Sequence, residues 1–252
     1  MEKVKKVIDK FLQPYINEEY FLGAILTGSY ATGNNHEKSD IDIFIVTKDS
    51  TSWRERGNRQ IDGYMVEYFI NPVRQVMKEF NEGFMTNNIA TTLIFAGSIV
   101  LYDTDSTVAA LVAKAKEDLH RPLAPVSAFR WNMNCYTVWH SFHELTVKYE
   151  EGTDIDFTYS IFLENIISAY FTNCGIPMVS LHKIERILMD EEYRKRYNAL
   201  RMPRKDFCEK LAACFKAKGR EDRYTRAKEM YEYYMVQNKD FDINSFSFRS
   251  DV

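Results

Sequence analysis

No apolar run in these 252 residues approaches the roughly 18 to 20 that a membrane-spanning helix needs. The chain starts Met-Glu-Lys-Val-Lys-Lys and runs into an amphipathic pattern, without the apolar core of a secretory signal. Cysteine is scarce. Cys135, Cys174, Cys208 and Cys214 form no Cys-x-x-Cys pair and match no common zinc spacing. The expectation is reduced, buried thiols in a cytoplasmic protein. An excess of positive charge is also missing: 33 Lys and Arg stand against 36 Asp and Glu, a formal net charge of −3. A surface that tracks a nucleic-acid backbone normally needs a basic face, so no nucleic acid and no membrane is expected as partner. A local basic pocket is still compatible with that balance. No internal repeat or low-complexity segment stands out.

What is present is ordinary for a soluble globular chain, 45% hydrophobic and 27% charged, with 16 Tyr and 17 Phe to fill a core or line a cleft. One stretch is unusual. Leu26 to Val46 begins at the end of one apolar run and finishes inside another, with Gly28-Ser29, a polar loop and Asp40-Ile41-Asp42 between them. Alternate residues of a strand share a face, so Asp40 and Asp42 would present two carboxylates together, with Ile41, Ile43 and Ile45 opposite. Adjacent like charges are unfavourable unless a cation offsets them. Mg²⁺ takes a few carboxylates plus substrate phosphates. Gly28-Ser29 offers a tight turn whose N–H groups and hydroxyl can approach a phosphate closely. A lone Asp-x-Asp is weak evidence, but the combination reads as a site for a metal-bound nucleoside triphosphate.

This stretch resembles the signature of the polymerase-β-like nucleotidyltransferase superfamily: Gly-Ser, then about a dozen residues on, Ser39-Asp40-Ile41-Asp42. More narrowly, the chain is similar to small bacterial nucleotidyltransferases, including the aminoglycoside- and lincosamide-modifying enzymes of antibiotic resistance. The resemblance implies a mixed sheet with helices, two Mg²⁺ ions, and nucleotidyl transfer from a nucleoside triphosphate, ATP being the first expectation. Many relatives carry Ala-Arg-Gly in the loop, where this chain has Ala31-Thr32-Gly33. A third acidic residue usually lies on a later strand. Glu67, in an otherwise apolar and aromatic run from Ile61 to Ile70, matches that pattern, and Asp62 beside Gly63 reads better as a turn residue.

The order of elements follows from periodicity. Val4, Val7, Ile8, Phe11 and Leu12 predict an amphipathic first helix, broken near Pro14. Strands are expected over Phe21–Thr27, Asp40–Val46 and Ile61–Ile70, with a polar, turn-like segment from Thr47 to Gly57 that holds Arg54 and Arg56. Asn71-Pro72 reads as a helix start, with the helix stopping near Gly83. A helix over Asn87–Phe95, a strand over Ser98–Tyr102 and a helix to about His120 complete the first half. Arg121-Pro122-Leu123-Ala124-Pro125 is the best boundary. Beyond it every long segment reads as helix, to a tail from Lys239 to Val252. The fold class is therefore α+β: a mixed-sheet nucleotidyltransferase domain over residues 1–119, then an all-helical bundle over 120–252 that binds the acceptor.

The expected reaction is attack by an acceptor hydroxyl on the α-phosphate of the triphosphate, with pyrophosphate leaving. Gly28 and Ser29 would position phosphates, Asp40 and Asp42 would hold metal, and Glu67 would hold the acceptor-side metal or take the hydroxyl proton. Glu164, in the apolar helical stretch Ile161 to Ile167, is a candidate general base, since related antibiotic-modifying enzymes place a helical-domain glutamate in the cleft. Glu144, Glu150, Glu151, Asp154 and Asp156 would attract a polycation, although a solvated acidic loop explains them as well. His140 and His143 share a helix face. The first expectation is AMP transfer to a small hydroxylated molecule such as an aminoglycoside. Alternatives are protein nucleotidylation of the toxin–antitoxin kind and a nucleotide-binding regulator without catalysis. Relatives of this type can dimerise, so a homodimer is kept open.

Overall fold

The computed structural model describes residues 2–199 and 201–249. They fall into two compact units. The first takes the chain to Pro122 and adds the segment that begins at Asp190; the second takes Leu123–Met189 and the chain from Arg201.

The first unit opens with helix α1, Glu2–Leu12, whose buried Val4, Val7, Ile8, Phe11 and Leu12 follow the expected helical spacing and stop short of Pro14. Strand β1, Phe21–Thr27, leads into a short helix α2, Gly28–Thr32. Strands β2, Ile41–Thr47, β3, Glu55–Ile61, and β4, Tyr64–Pro72, follow, then helices α3, Val73–Thr86, and α4, Ala90–Ala96, strand β5, Ile99–Asp103, and helix α5, Thr107–Asp118. The sheet order is β3-β4-β2-β1-β5. It is mixed: β2 and β4 run parallel, and every other pair is antiparallel. Ile41, Ile43 and Ile45 pack with Ala24, Leu26, Val66 and Ile70 against α1. Phe44 and Val46, on the other face, pack with Ile25, Val76, Phe80, Phe95 and Val108 from the side of α3, α4 and α5. A central strand covered on both faces reads as the near-continuous apolar run seen in Ile-Asp-Ile-Phe-Ile-Val.

Strand β3 departs from the expectation of a turn-like segment. Glu-Arg-Gly-Asn-Arg-Gln-Ile carries no apolar alternation because it is an edge strand, exposed along most of its length. Pairing with β4 holds it, through a tight turn in which Asp62 and Gly63 both have positive φ (50° and 84°). That is the backbone an Asp-Gly hairpin turn favours. Asn71-Pro72 also differs: β4 continues through Pro72, and no side chain caps α3. Gly83 lies inside α3, which ends instead at a left-handed Asn87.

The second unit consists of helices. Helices α6, Ala128–Glu150, α7, Asp156–Asn173, α8, Leu181–Met189, α10, Lys205–Lys216, and α11, Gly219–Gln237, enclose a core that includes Val138, Leu145, Phe162, Phe207, Leu211, Met230 and Tyr234. The Ser127 hydroxyl caps α6 by accepting from the Arg130 N–H. Helix α9, Glu191–Arg196, belongs to the first unit, where Arg196 donates to the Gly33 carbonyl at 3.3 Å. The tail makes one 3₁₀ turn at Ile243–Ser245; Leu200 and the end of the expected tail, 250–252, lie outside the described residues. The architecture is α+β, a mixed five-stranded sheet with helices followed by a helical unit. No described helix is long and apolar enough to cross a membrane.

Candidate active site

Strand β1 delivers the chain to Gly28, where φ is +64°. A Cβ placed there would stand 1.8 Å from Oδ2 of Asp42 and 2.6 Å from its Cγ. Only glycine lets the backbone lie against that carboxylate, for reasons of both φ and space. The Thr32 hydroxyl donates to the Gly28 carbonyl at 3.0 Å and ties the far end of α2 back to its start. The Gly-Ser element is thus the opening of a short helix, not an isolated turn.

The sheet register places a row of polar groups on the face away from α1. Thr27 lies opposite Asp42, Asp42 opposite Glu67, and Glu67 opposite Asn58. Residues directly opposite in neighbouring strands point to the same face. Thr27 is buried, and its hydroxyl donates to the Ile94 carbonyl at 3.2 Å. Asp40 is exposed, just before β2 begins. Glu67 is held by Arg56, whose Nη2 lies 2.6 Å from Oε1; the same guanidinium stacks over Phe69, 4.7 Å from the ring centroid.

Among the described residues no group of three or more His, Cys, Asp or Glu is gathered to hold a metal ion. Glu67 is turned to Arg56, and Asp40 stands ahead of the strand. The donor set nonetheless suits a divalent cation. Asp40, Asp42 and Glu67 are hard oxygen ligands of the kind Mg²⁺ takes, and glycine at position 28 lets the backbone lie against the Asp42 carboxylate.

The next row of the same face holds Arg56, Phe69, Phe44 and Ile25. Over it lies a cavity of about 360 Å³, floored by Phe44 and Phe69 and lined by Arg54, Arg56, Asn71 and Glu79. Glu79 accepts from Gln75 at 2.7 Å and from the Thr91 hydroxyl at 2.8 Å, with Arg54 3.8 Å away. Glu55 turns to the opposite face, where it takes the Tyr68 hydroxyl at 2.5 Å and pushes that phenol's pKa up. Reading Thr47–Gly57 as a turn hid this arrangement. The available signal was the alternation Glu67, Phe69, Asn71 together with Arg54-x-Arg56 where the neighbouring strand begins.

The remaining candidates lie in the second unit. Glu164 is exposed on α7. Glu144, Glu150, Glu151 and Asp154 are exposed, and Asp156 pairs with Arg223. His140 stacks on Tyr136 and His143 on Trp139, so these rings cover aromatic surface. The four cysteines form no disulfide; Cys135 and Cys214 are buried, whereas Cys174 is exposed.

Residues 4–90, roughly the first third of the chain, match the family model described as the nucleotidyltransferase domain. The match spans β1, Gly28, Asp42 and Glu67. No curated protein is detectably similar. Among solved structures, a nucleotidyltransferase-like protein from Exiguobacterium sibiricum 255-15 aligns over 94% of this chain and 75% of its own, with 9% identity and a TM-score of 0.47.

Proposed function

We propose that the chain, whose residues 4–90 match the nucleotidyltransferase domain model, moves a nucleoside monophosphate, AMP from ATP in the first instance, to a hydroxyl of a small molecule in the cytoplasm. The observation that carries this reading is the contact of Gly28 with the Asp42 carboxylate. It brings the phosphate-facing backbone and a charge-bearing acid to one point.

Gly28 and Ser29 hold the phosphates of the donor. Asp40 and Asp42, with Glu67, would hold Mg²⁺, which supplies neutralisation of charge on the attacking and leaving oxygens. The acceptor oxygen bonds to the α-phosphorus as the bond to the pyrophosphate oxygen breaks. The departing hydroxyl proton passes to the Glu67 carboxylate. In-line displacement places the leaving pyrophosphate on the side of Gly28 and the attacking hydroxyl on the side of β4 and β3.

The experiment is incubation with triphosphates labelled at the α-phosphate, Mg²⁺, and a panel of hydroxylated acceptors including aminoglycosides and lincosamides. The expected result is pyrophosphate release that depends on one acceptor class, with the label on that acceptor. Binding of triphosphate without release under every acceptor would contradict transfer. Glu67→Gln should lower the rate of transfer, and a fully active Glu67→Gln would contradict its role as proton acceptor.

A further inference from the structure

We propose that the cavity over Phe44 and Phe69 is the acceptor pocket, and that it takes a hydroxylated small anion, a carboxylate or a phosphate monoester, in preference to a polycation. The proposal rests on the nucleotidyl-transfer reading for the direction of attack. Its grounds are the contents of the cavity.

The cavity lies one register row below Asp42 and Glu67, on the same face of the sheet. A hydroxyl projecting from it toward Glu67 approaches from the side opposite Gly28. Its volume of about 360 Å³ sits near the lower end of small-molecule sites, room for a molecule of roughly monosaccharide size. Asn71 is only 7% exposed and lines the cavity, so its amide is placed to hydrogen-bond a polar ligand there.

The charge balance chooses the ligand's sign. Of the two lining carboxylates, Glu55 is engaged on the other face, and Glu79 already accepts from Gln75 and Thr91. Of the two lining cations, Arg54 lies loosely 3.8 Å from Glu79, and Arg56 is bound only as long as Glu67 is. Oε1 of Glu67 holds Arg56, and a cation at the carboxylate row would draw on the same carboxylate. When Glu67 turns to that row, Arg56 is left over the pocket with its planar donors free, the geometry that suits carboxylate and phosphate.

The test uses the full chain with Mg²⁺ and a non-hydrolysable ATP analogue. Four sugars on one scaffold serve as probes in calorimetric titration: glucose 6-phosphate, glucuronate, glucose and glucosamine, with kanamycin as polycation. The two anions should bind at least tenfold tighter than glucose, and glucosamine and kanamycin no tighter than glucose. Arg54→Met should reduce the anion preference severalfold, and Thr91→Phe, which fills the cavity, should abolish anion binding. Both should leave affinity for the ATP analogue within twofold. Equal binding of glucose and the anions, or tighter binding of kanamycin, would overturn the proposal. A fall in ATP-analogue affinity with Thr91→Phe in a folded protein would also overturn it, giving the cavity to the nucleoside. Failure of the unmodified protein to bind the ATP analogue with Mg²⁺ is a separate result that sinks the transfer reading, and the acceptor role with it.

Discussion

Gly28 shows how much a single position can settle. Its positive φ and its distance to the Asp42 carboxylate both exclude a side chain. Gly28→Ala should lower kcat at least tenfold and cost about 1–2 kcal/mol of stability, the scale of one residue forced into the left-handed region. Kinetics and urea denaturation check the two effects separately; a fully active variant would contradict the close approach. Arg56 is the opposite case. It holds Glu67 at 2.6 Å, so Arg56→Gln should free that carboxylate and lower the half-saturating Mg²⁺ concentration severalfold. An unchanged Mg²⁺ requirement would mean that the pair does not compete with metal. Gly28 and Asp42 were legible in the sequence because an apolar strand flanks each and their spacing is fixed. The pairing of Arg56 with Glu67 was not, because the partner lies eleven residues on, across a strand pair that polarity conceals.

At the scale of elements, the β3–β4 hairpin carries the difference. Sequence periodicity identifies strands with a buried face, and β1, β2 and β4 all have one. An edge strand such as β3 is specified by its turn and its backbone pairing, which leave little trace in hydrophobicity. The Asp-Gly dipeptide was the legible part. Gly63, with φ of 84°, should not tolerate a β-branched residue: Gly63→Val is expected to cost about 1–3 kcal/mol. By loosening β3, and with it Arg54 and Arg56, it should also raise KM for the acceptor more than it lowers kcat. Below the hairpin, Phe80 is fully buried against Phe95. Phe80→Ala should cost about 3–5 kcal/mol in chemical denaturation.

Across the whole molecule, the helical unit was legible as helices, from long 3.6-residue periodicity, while the grouping of α9 with the sheet-bearing unit was not, since it depends on contacts remote in sequence such as Arg196 to Gly33. Buried thiols give that helical unit an alkaline limit. Burial pushes both Cys135 and Cys214 up to about 11. In the unfolded chain a thiol ionises near 8.5. The protonated, folded form is therefore favoured fully below that pH, and its advantage is lost as pH rises toward 11. The Tm should fall steadily between about pH 9 and pH 11, and Cys135→Ala with Cys214→Ala should flatten that fall even where they lower the Tm at neutral pH.

Asp42, lying against Gly28, belongs to the proposed nucleotidyl-transfer centre. Acceptor-dependent pyrophosphate release by Asp42→Asn, measured beside the unmodified chain with circular dichroism confirming equal folding, tests it most directly. The expected loss is at least about 100-fold, or about 2.7 kcal/mol in the barrier. Full activity in the folded variant would contradict it.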